Sequence, residues 1–230
     1  MIAYDGYKSY QMAQGDYCIA RKNHLVRYTK HKENGLFEKI IIVFDEVFLM
    51  RFLERHPQVL GDNPNKDSFL LLKEDGLLKN YISSLEPYYN GSEQIDDFFV
   101  DIKREELLMI LIKNDPRLIN VLFNFGIPQK IDLEEFMNRN FRFNISLERF
   151  AFLTGRSLST FKRDFLKTFG TTPGIWLTRK RLDEAYFLIH QQHHKPSEIY
   201  MDLGFEDLSH FSFAFKKQFG KAPSELLLKA

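Results

Sequence analysis

A chain of 230 residues is long enough for one large domain or two small ones. Its composition, 44% hydrophobic and 27% charged, is that of a folded globular protein, and a net charge of +1 excludes a strongly basic or acidic surface over the whole chain. Cys18 is the single cysteine, which excludes an intrachain disulfide and a thiolate metal cluster. The opening MIAYDGYKSY lacks the apolar stretch of a signal peptide. Ile40–Leu53 is too short, and too charged through Asp45, Glu46 and Arg51, to span a bilayer. A soluble protein of a reducing compartment, the cytoplasm, is expected, with no membrane partner.

In chain order, GDYCIA and HLVRYT read as short strands, with turn signals at Gly15-Asp16 and Asn34-Gly35. The run LFEKIIIVF, Leu36 to Phe44, reads as the clearest strand. A helix is expected over Glu46 to Arg55, ending before Pro57. Gly61 to Ser68 is loop by composition. From Leu70 the period becomes helical. Leu77, Leu78, Tyr81, Ile82 and Leu85 mark one face, and Phe98, Phe99, Ile102, Leu107, Leu108, Ile110 and Leu111 mark a longer one. A third short helix is expected from Arg117 to Phe125. Gly126-Ile127-Pro128 is a break, and Asp132 with Glu135 has the spacing of a capping box.

The last ninety residues repeat. In SLERFAFLTGRSLSTFKRDFLKTFGTTP, from Ser146, the residues Phe161, Phe165, Phe169, Gly170 and Pro173 recur as Phe211, Phe215, Phe219, Gly220 and Pro223 of SEIYMDLGFEDLSHFSFAFKKQFGKAP, all at an offset of fifty. Gly155 recurs as Gly204 at forty-nine, so one residue is inserted in the turn. Leu147, Phe150 and Ala151 form an apolar helical face that Gly155 ends, in the left-handed conformation glycine reaches cheaply. A second helix follows with Phe161, Phe165 and Phe169 inward and Ser159, Lys162, Arg163 and Lys167 outward. Two short helices joined by a glycine turn, the second polar and basic outside, make a helix-turn-helix. The part from Asn144 onward carries 13 Lys/Arg against 9 Asp/Glu, a charge of +4, and the preceding part is −3. That asymmetry has the sign of a sensor followed by a phosphate-facing module.

The stretch GFEDLSHFSFAFKKQFGKAPSEL resembles the signature of AraC/XylS-family regulators, and KRLDEAYFLI, Lys180 to Ile189, resembles the family's helix joining the two units. The resemblance covers roughly Asp132 to Ala230. It implies a seven-helix module that places two recognition helices in successive major-groove segments of double-stranded DNA. The expected fold class is α+β: a small β-rich plus helical N-terminal domain, residues 1–130, then an all-α C-terminal module, residues 131–230, with two helix-turn-helix motifs.

By position in the family pattern, Ser159, Lys162 and Arg163 face base edges in the first unit, and Leu208, Ser209 and Ser212 in the second. Lys167, Lys216 and Lys217 are the expected phosphate contacts. Arg163 suits guanine, whose O6 and N7 accept a bidentate guanidinium. Phe213 stands where Arg163 stands in the first unit, and three outcomes are open: packing into its own domain, contact with a thymine methyl, or a weaker second reader. Tyr200 replaces the small Ala151, so looser helix packing or a changed packing angle is expected there. Pro173 and Trp176 read as turn and core.

The resemblance also implies that residues 1–130 are a regulatory and dimerisation domain with cupin-like strands, either reduced in number or in part unrecognised, that RNA polymerase is contacted, and that transcription is activated. For the helices within 97–125 two readings are open, pairing two copies or covering the strands of their own chain. It leaves the effector, small molecule or protein, unidentified. No cofactor, metal or enzymatic activity is expected. His24, His31 and His56 lack ligand spacing, His193 and His194 sit in a polar connection, and no phosphate-binding glycine loop, nucleophile elbow or HExxH motif is present. The competing reading is a non-enzymatic adaptor that keeps the helix-turn-helix fold for protein contacts.

Overall fold

Three short strands near the start pair as a sheet, one of them within HLVRYT. β1 (Ile2–Tyr4) lies between β2 (Ser9–Gln11) and β4 (Arg27–Thr29), antiparallel to both, with Ala3 opposite Tyr10 and Tyr28. β3 (Cys18–Ala20) pairs elsewhere, antiparallel to β5 (Phe69–Leu71), with Ile19 opposite Leu70. Ala3, Tyr10, Met12 and Phe69 form the buried cluster these strands share. The computed structural model describes residues 1–29, 39–61, 67–73, 75–88, 97–126 and 128–227. By internal contacts the chain divides into one unit of Met1–Asp5 and Ser9–Gly126 and another of Gly6–Lys8 and Ile127–Ala230.

Two expectations for the strands are corrected. Within Leu36–Phe44, residues 36–38 lie outside the described residues, and residues 39–44 form no strand. Ile42 and Phe44 pack inward while Ile41 and Val43 are exposed, so the alternation is present, but among the described residues no ladder partner meets it. Conversely, Phe69–Leu71 is a strand where helical period was expected from Leu70. Its three residues are too few to display a period of two, and its pairing with β3 is a tertiary event. The Asn34-Gly35 turn and most of the Gly61–Ser68 loop lie outside the described residues.

The helices of this unit follow the apolar pattern. In α1 (Glu46–Arg55) the Asp45 side chain caps the N-terminus, accepting from Phe48 N at 2.9 Å, and Phe48, Leu49 and Phe52 are buried. α2 (Gly76–Leu85) buries Leu78, Tyr81 and Leu85. α3 (Asp97–Asn114) contributes Leu107 and Leu111 to the α2 cluster and Leu108 to the α1 cluster. Its opposite side leaves Phe98, Ile102 and Met109 exposed, so α3 is apolar on more than one face. A 3-10 turn at Pro116–Leu118 and the one-turn α4 (Ile119–Leu122) follow.

The second unit is all helical in its described elements: α5 (Leu133–Asn140), α6 (Leu147–Leu153), α7 (Leu158–Phe169), α8 (Pro173–His190), α9 (Pro196–Ile199), α10 (Leu208–Phe219) and α11 (Pro223–Leu227). Asp132 caps α5, its side chain accepting from Glu135 N at 2.6 Å, while the Glu135 carboxylate pairs with Arg139. Among the described residues no helix is long and apolar enough to cross a membrane.

Candidate nucleic-acid interface

The first helix-turn-helix is capped twice by serine. Ser146 Oγ accepts from Arg149 N at the start of α6, and Ser157 Oγ accepts from Thr160 N at the start of α7, at 3.2 and 3.3 Å. Between them Thr154 turns its buried hydroxyl back onto the carbonyls of Phe150 and Ala151, both at 2.9 Å. Gly155 follows with φ +67°, and a Cβ there would lie 2.4 Å from the carbonyl carbon of Gln129. Only glycine satisfies both the turn and the close approach of the preceding chain. Phe161 and Phe165 are fully buried, and Phe165 and Phe169 pack on Trp176 with centroids 5.6 and 4.7 Å away.

Burying that aromatic side fixes what faces out. Ser159, Lys162, Arg163 and Lys167 are all exposed on α7. Arg163 lies 3.7 Å from the Asp164 carboxylate, yet Asp164 is already engaged by Arg156 at 3.1 Å and Lys130 at 3.4 Å. Arg156 holds the Asp164 carboxyl below its ordinary pKa, aided by Lys130. The two arginines therefore differ in kind. Arg156 is sequestered and also donates to the carbonyls of Ile131 and Thr154, whereas the Arg163 side chain is 76% exposed and only loosely paired.

The second unit is built on the same plan with weaker ends. Lys195 occupies the cap position of α9 and offers no side-chain acceptor, leaving Pro196 at the first turn and the Glu198 carboxylate accepting from Lys195 N at 3.3 Å. The result is four helical residues where α6 has seven. Gly204 takes φ +83°, and a Cβ there would lie 2.7 Å from the Arg142 carbonyl oxygen. Asp207 then caps α10, accepting from His210 N at 2.6 Å. Phe211 and Phe215 are fully buried among Leu182, Ala185, Ile189, Ile199 and Leu203. Tyr200, half-buried, packs on the edge of this cluster.

On α10, Leu208, Ser209, Lys216 and Lys217 are exposed and Ser212 is half-buried. Phe213 is 70% exposed, so the first of its three outcomes, packing into its own domain, does not occur. The nine candidate contact residues thus lie on the outward sides of two equivalent helices. Pro173 is buried at the first turn of α8, and Trp176 is core-facing. Among the described residues no three His, Cys, Asp or Glu side chains are grouped to hold a metal ion.

One residue that holds the two helix-turn-helix units together escapes sequence reasoning altogether. Arg181, on the connecting helix α8, donates from Nε to Phe141 O at 2.7 Å, from one terminal nitrogen to Phe143 O at 2.9 Å, and from the other to Gly204 O at 2.9 Å. Burial pushes its pKa down from the ordinary arginine value. The two Phe carbonyls belong to the segment entering the first helix-turn-helix, and Gly204 is the turn of the second, so one guanidinium braces both. Arg142 with Glu184, Asn144 with Glu206 at 3.1 Å, and Gln218 with Asp183 at 2.7 Å run alongside it. In the sequence Arg181 is one cation in the run Arg179-Lys180-Arg181, where nothing separates a brace from a solvated side chain.

Residues 1–121 match the family described as the ExsA N-terminal regulatory domain, and residues 150–229 match a helix-turn-helix domain. The chain is 25% identical over 225 residues to the virulence regulon transcriptional activator VirF of Yersinia enterocolitica, covering 96% of this chain and 83% of that protein. It is 25% identical over 219 residues to the HTH-type transcriptional regulator ExsA of Pseudomonas aeruginosa, covering 93% and 77%. It is 29% identical over 137 residues to the XylDLEGF operon transcriptional activator of Pseudomonas putida, covering 58% and 42%.

Proposed function

We propose, from the premise that this chain belongs to the AraC-type transcriptional regulators that carry an ExsA N-terminal regulatory domain, that it binds double-stranded DNA sequence-specifically and activates transcription. The observation that carries the reading is the pair of outward faces on α7 and α10, which present Lys162, Arg163, Lys167, Lys216 and Lys217 on helices anchored by the buried Phe161, Phe165, Phe211 and Phe215. In this reading Ser159, Lys162 and Arg163 meet base edges in one major-groove segment, and Leu208, Ser209 and Ser212 meet them in the next. Lys167, Lys216 and Lys217 neutralise phosphates. The protein acts in the cytoplasm and contacts RNA polymerase when bound to its promoter.

Duplexes selected from random DNA by the full chain should converge on one recurrent site, and enrichment of nothing would overturn the reading. At that site Arg163→Ala should weaken binding by about 1–3 kcal/mol and blur the preference at one base. Lys216→Ala should instead weaken binding to every sequence and lower the salt slope by about one. Unchanged affinity and preference for the first variant would remove Arg163 from the base contacts. The adaptor reading has one observation in its favour, the exposed Phe213 ring. A salt-dependent anisotropy titration on random duplex separates the two, since an adaptor would show no binding at low salt.

We also infer that the chain forms a homodimer through α3, whose Phe98, Ile102 and Met109 are 76, 60 and 45% exposed on one side. Sedimentation at micromolar concentration should show a dimer that Phe98→Glu with Ile102→Glu converts to monomer. A wild-type monomer throughout that range would dispose of the interface.

A further inference from the structure

The two recognition helices are built alike and armed differently. At the position where α7 carries Arg163, α10 carries Phe213, fifty residues on. The phenylalanines Phe211, Phe215 and Phe219 of α10 all pack against other rings, edge-on or tilted, in the core of the second unit. Phe213 is 70% exposed and, among the described residues, stacks on no other ring. Its neighbours on the helix surface are Ser209 one turn before, Lys216 three residues on and Lys217 four residues on. Leu208, 38% exposed, adds apolar surface at the first turn.

An apolar ring set in a cationic face narrows its occupant. Lys216 and Lys217 call for a polyanion, and a duplex offers few apolar groups to a helix in its major groove. The 5-methyl of thymine is the one that aromatic and aliphatic side chains read there. A water-exposed ring in the free protein gains by covering such a methyl, because both surfaces leave water together. We propose that Phe213 is a specificity-determining residue that reads a thymine methyl, so that the second unit selects thymine where the first selects guanine through Arg163. This rests on the DNA-binding reading above and adds to it the base that the second unit chooses.

Removing the methyl alone supplies the test. The probe is the duplex selected by the full chain, with each thymine of the second unit's half replaced in turn by deoxyuridine. Wild-type protein should lose about fourfold in affinity at one or two positions, the value of one buried methyl group. Phe213→Ala should bind the parent duplex more weakly and show equal affinity for thymine and deoxyuridine there, while Arg163→Ala keeps the difference. Because the ring is exposed, Phe213→Ala should melt like the wild type, and a second variant, Phe213→Arg, should move the preference at that step from thymine to guanine.

Equal affinity for thymine and deoxyuridine at every position, with sequence-specific binding intact and Arg163→Ala still relaxing it, would overturn the role of Phe213 and leave the regulator reading standing. Wild-type affinity of Phe213→Ala for DNA, with transcription lost in a purified polymerase assay, would overturn it in favour of a protein contact. Failure of the full chain to select any duplex would overturn both readings.

Discussion

Replacing Arg181 by methionine should lower the stability of the helical C-terminal module by about 3 kcal/mol, the cost of orphaning buried acceptors. The methionine stem fills the space of the arginine methylenes, so the loss is polar rather than a cavity. The carbonyls of Phe141 and Gly204 lose the Arg181 donor at once, and that of Phe143 keeps only its bond from Ile145 N, at 3.1 Å. Lysine cannot substitute, because one ammonium lacks the planar fork that reaches three acceptors in different directions. Arg181→Lys should therefore recover less than half of the loss. Trp176 is the only tryptophan and lies in this module, so its fluorescence during urea unfolding of the full chain reports on it selectively. A midpoint within experimental error of the wild type for Arg181→Met would show that the brace contributes nothing.

The second large effect is expected at Gly155. An alanine there meets two separate costs. Holding an L-residue in the left-handed region costs about 1–2 kcal/mol, and its Cβ would lie 2.4–2.5 Å from the carbonyl group of Gln129 and the nitrogen of Lys130. Those are backbone atoms, which cannot swing aside as a side-chain tip can. The total should reach about 3 kcal/mol or more, among the larger effects of a single substitution. Gly155→Asn separates the costs. Asparagine tolerates the left-handed conformation better but keeps the Cβ. It should behave like alanine if the close approach dominates, and recover about half the loss if the dihedral does. The same Trp176 unfolding curve reads both variants, and a neutral Gly155→Ala would refute the packing described for this turn.

The parts of this molecule that could be read from its residues share a physical property: they are local. Phe161, Phe165 and Phe169 recur at helical spacing fifty residues later, so the helix, its buried side and its exposed side follow without knowledge of any neighbour. The caps at Asp132 and the turn at Gly155 are equally local. The strands were harder because a strand is defined by its partner. Lys39–Phe44 has every intrinsic mark of a strand and pairs with nothing described, while Phe69–Leu71 has almost none and pairs with Cys18–Ala20. The candidate contact residues follow from the exposed faces, but the residues that hold those faces do not. Arg156 and Arg163 look interchangeable in the sequence, yet one is sequestered against Asp164 and the other projects into solvent. Arg181 owes its role to Phe141, Phe143 and Gly204, which lie between twenty-three and forty residues away.

The brace at Arg181 also bears on when order is acquired. A linker that left the two modules to wander would have to surrender that freedom on DNA, and each binding event would carry the entropic loss. Here the loss is taken during folding, so once one recognition helix docks, the second is held near its own groove at high effective concentration. On the proposed reading, in which α7 and α10 choose the bases, a brace set back from both outward faces would in this way raise affinity for a two-part site.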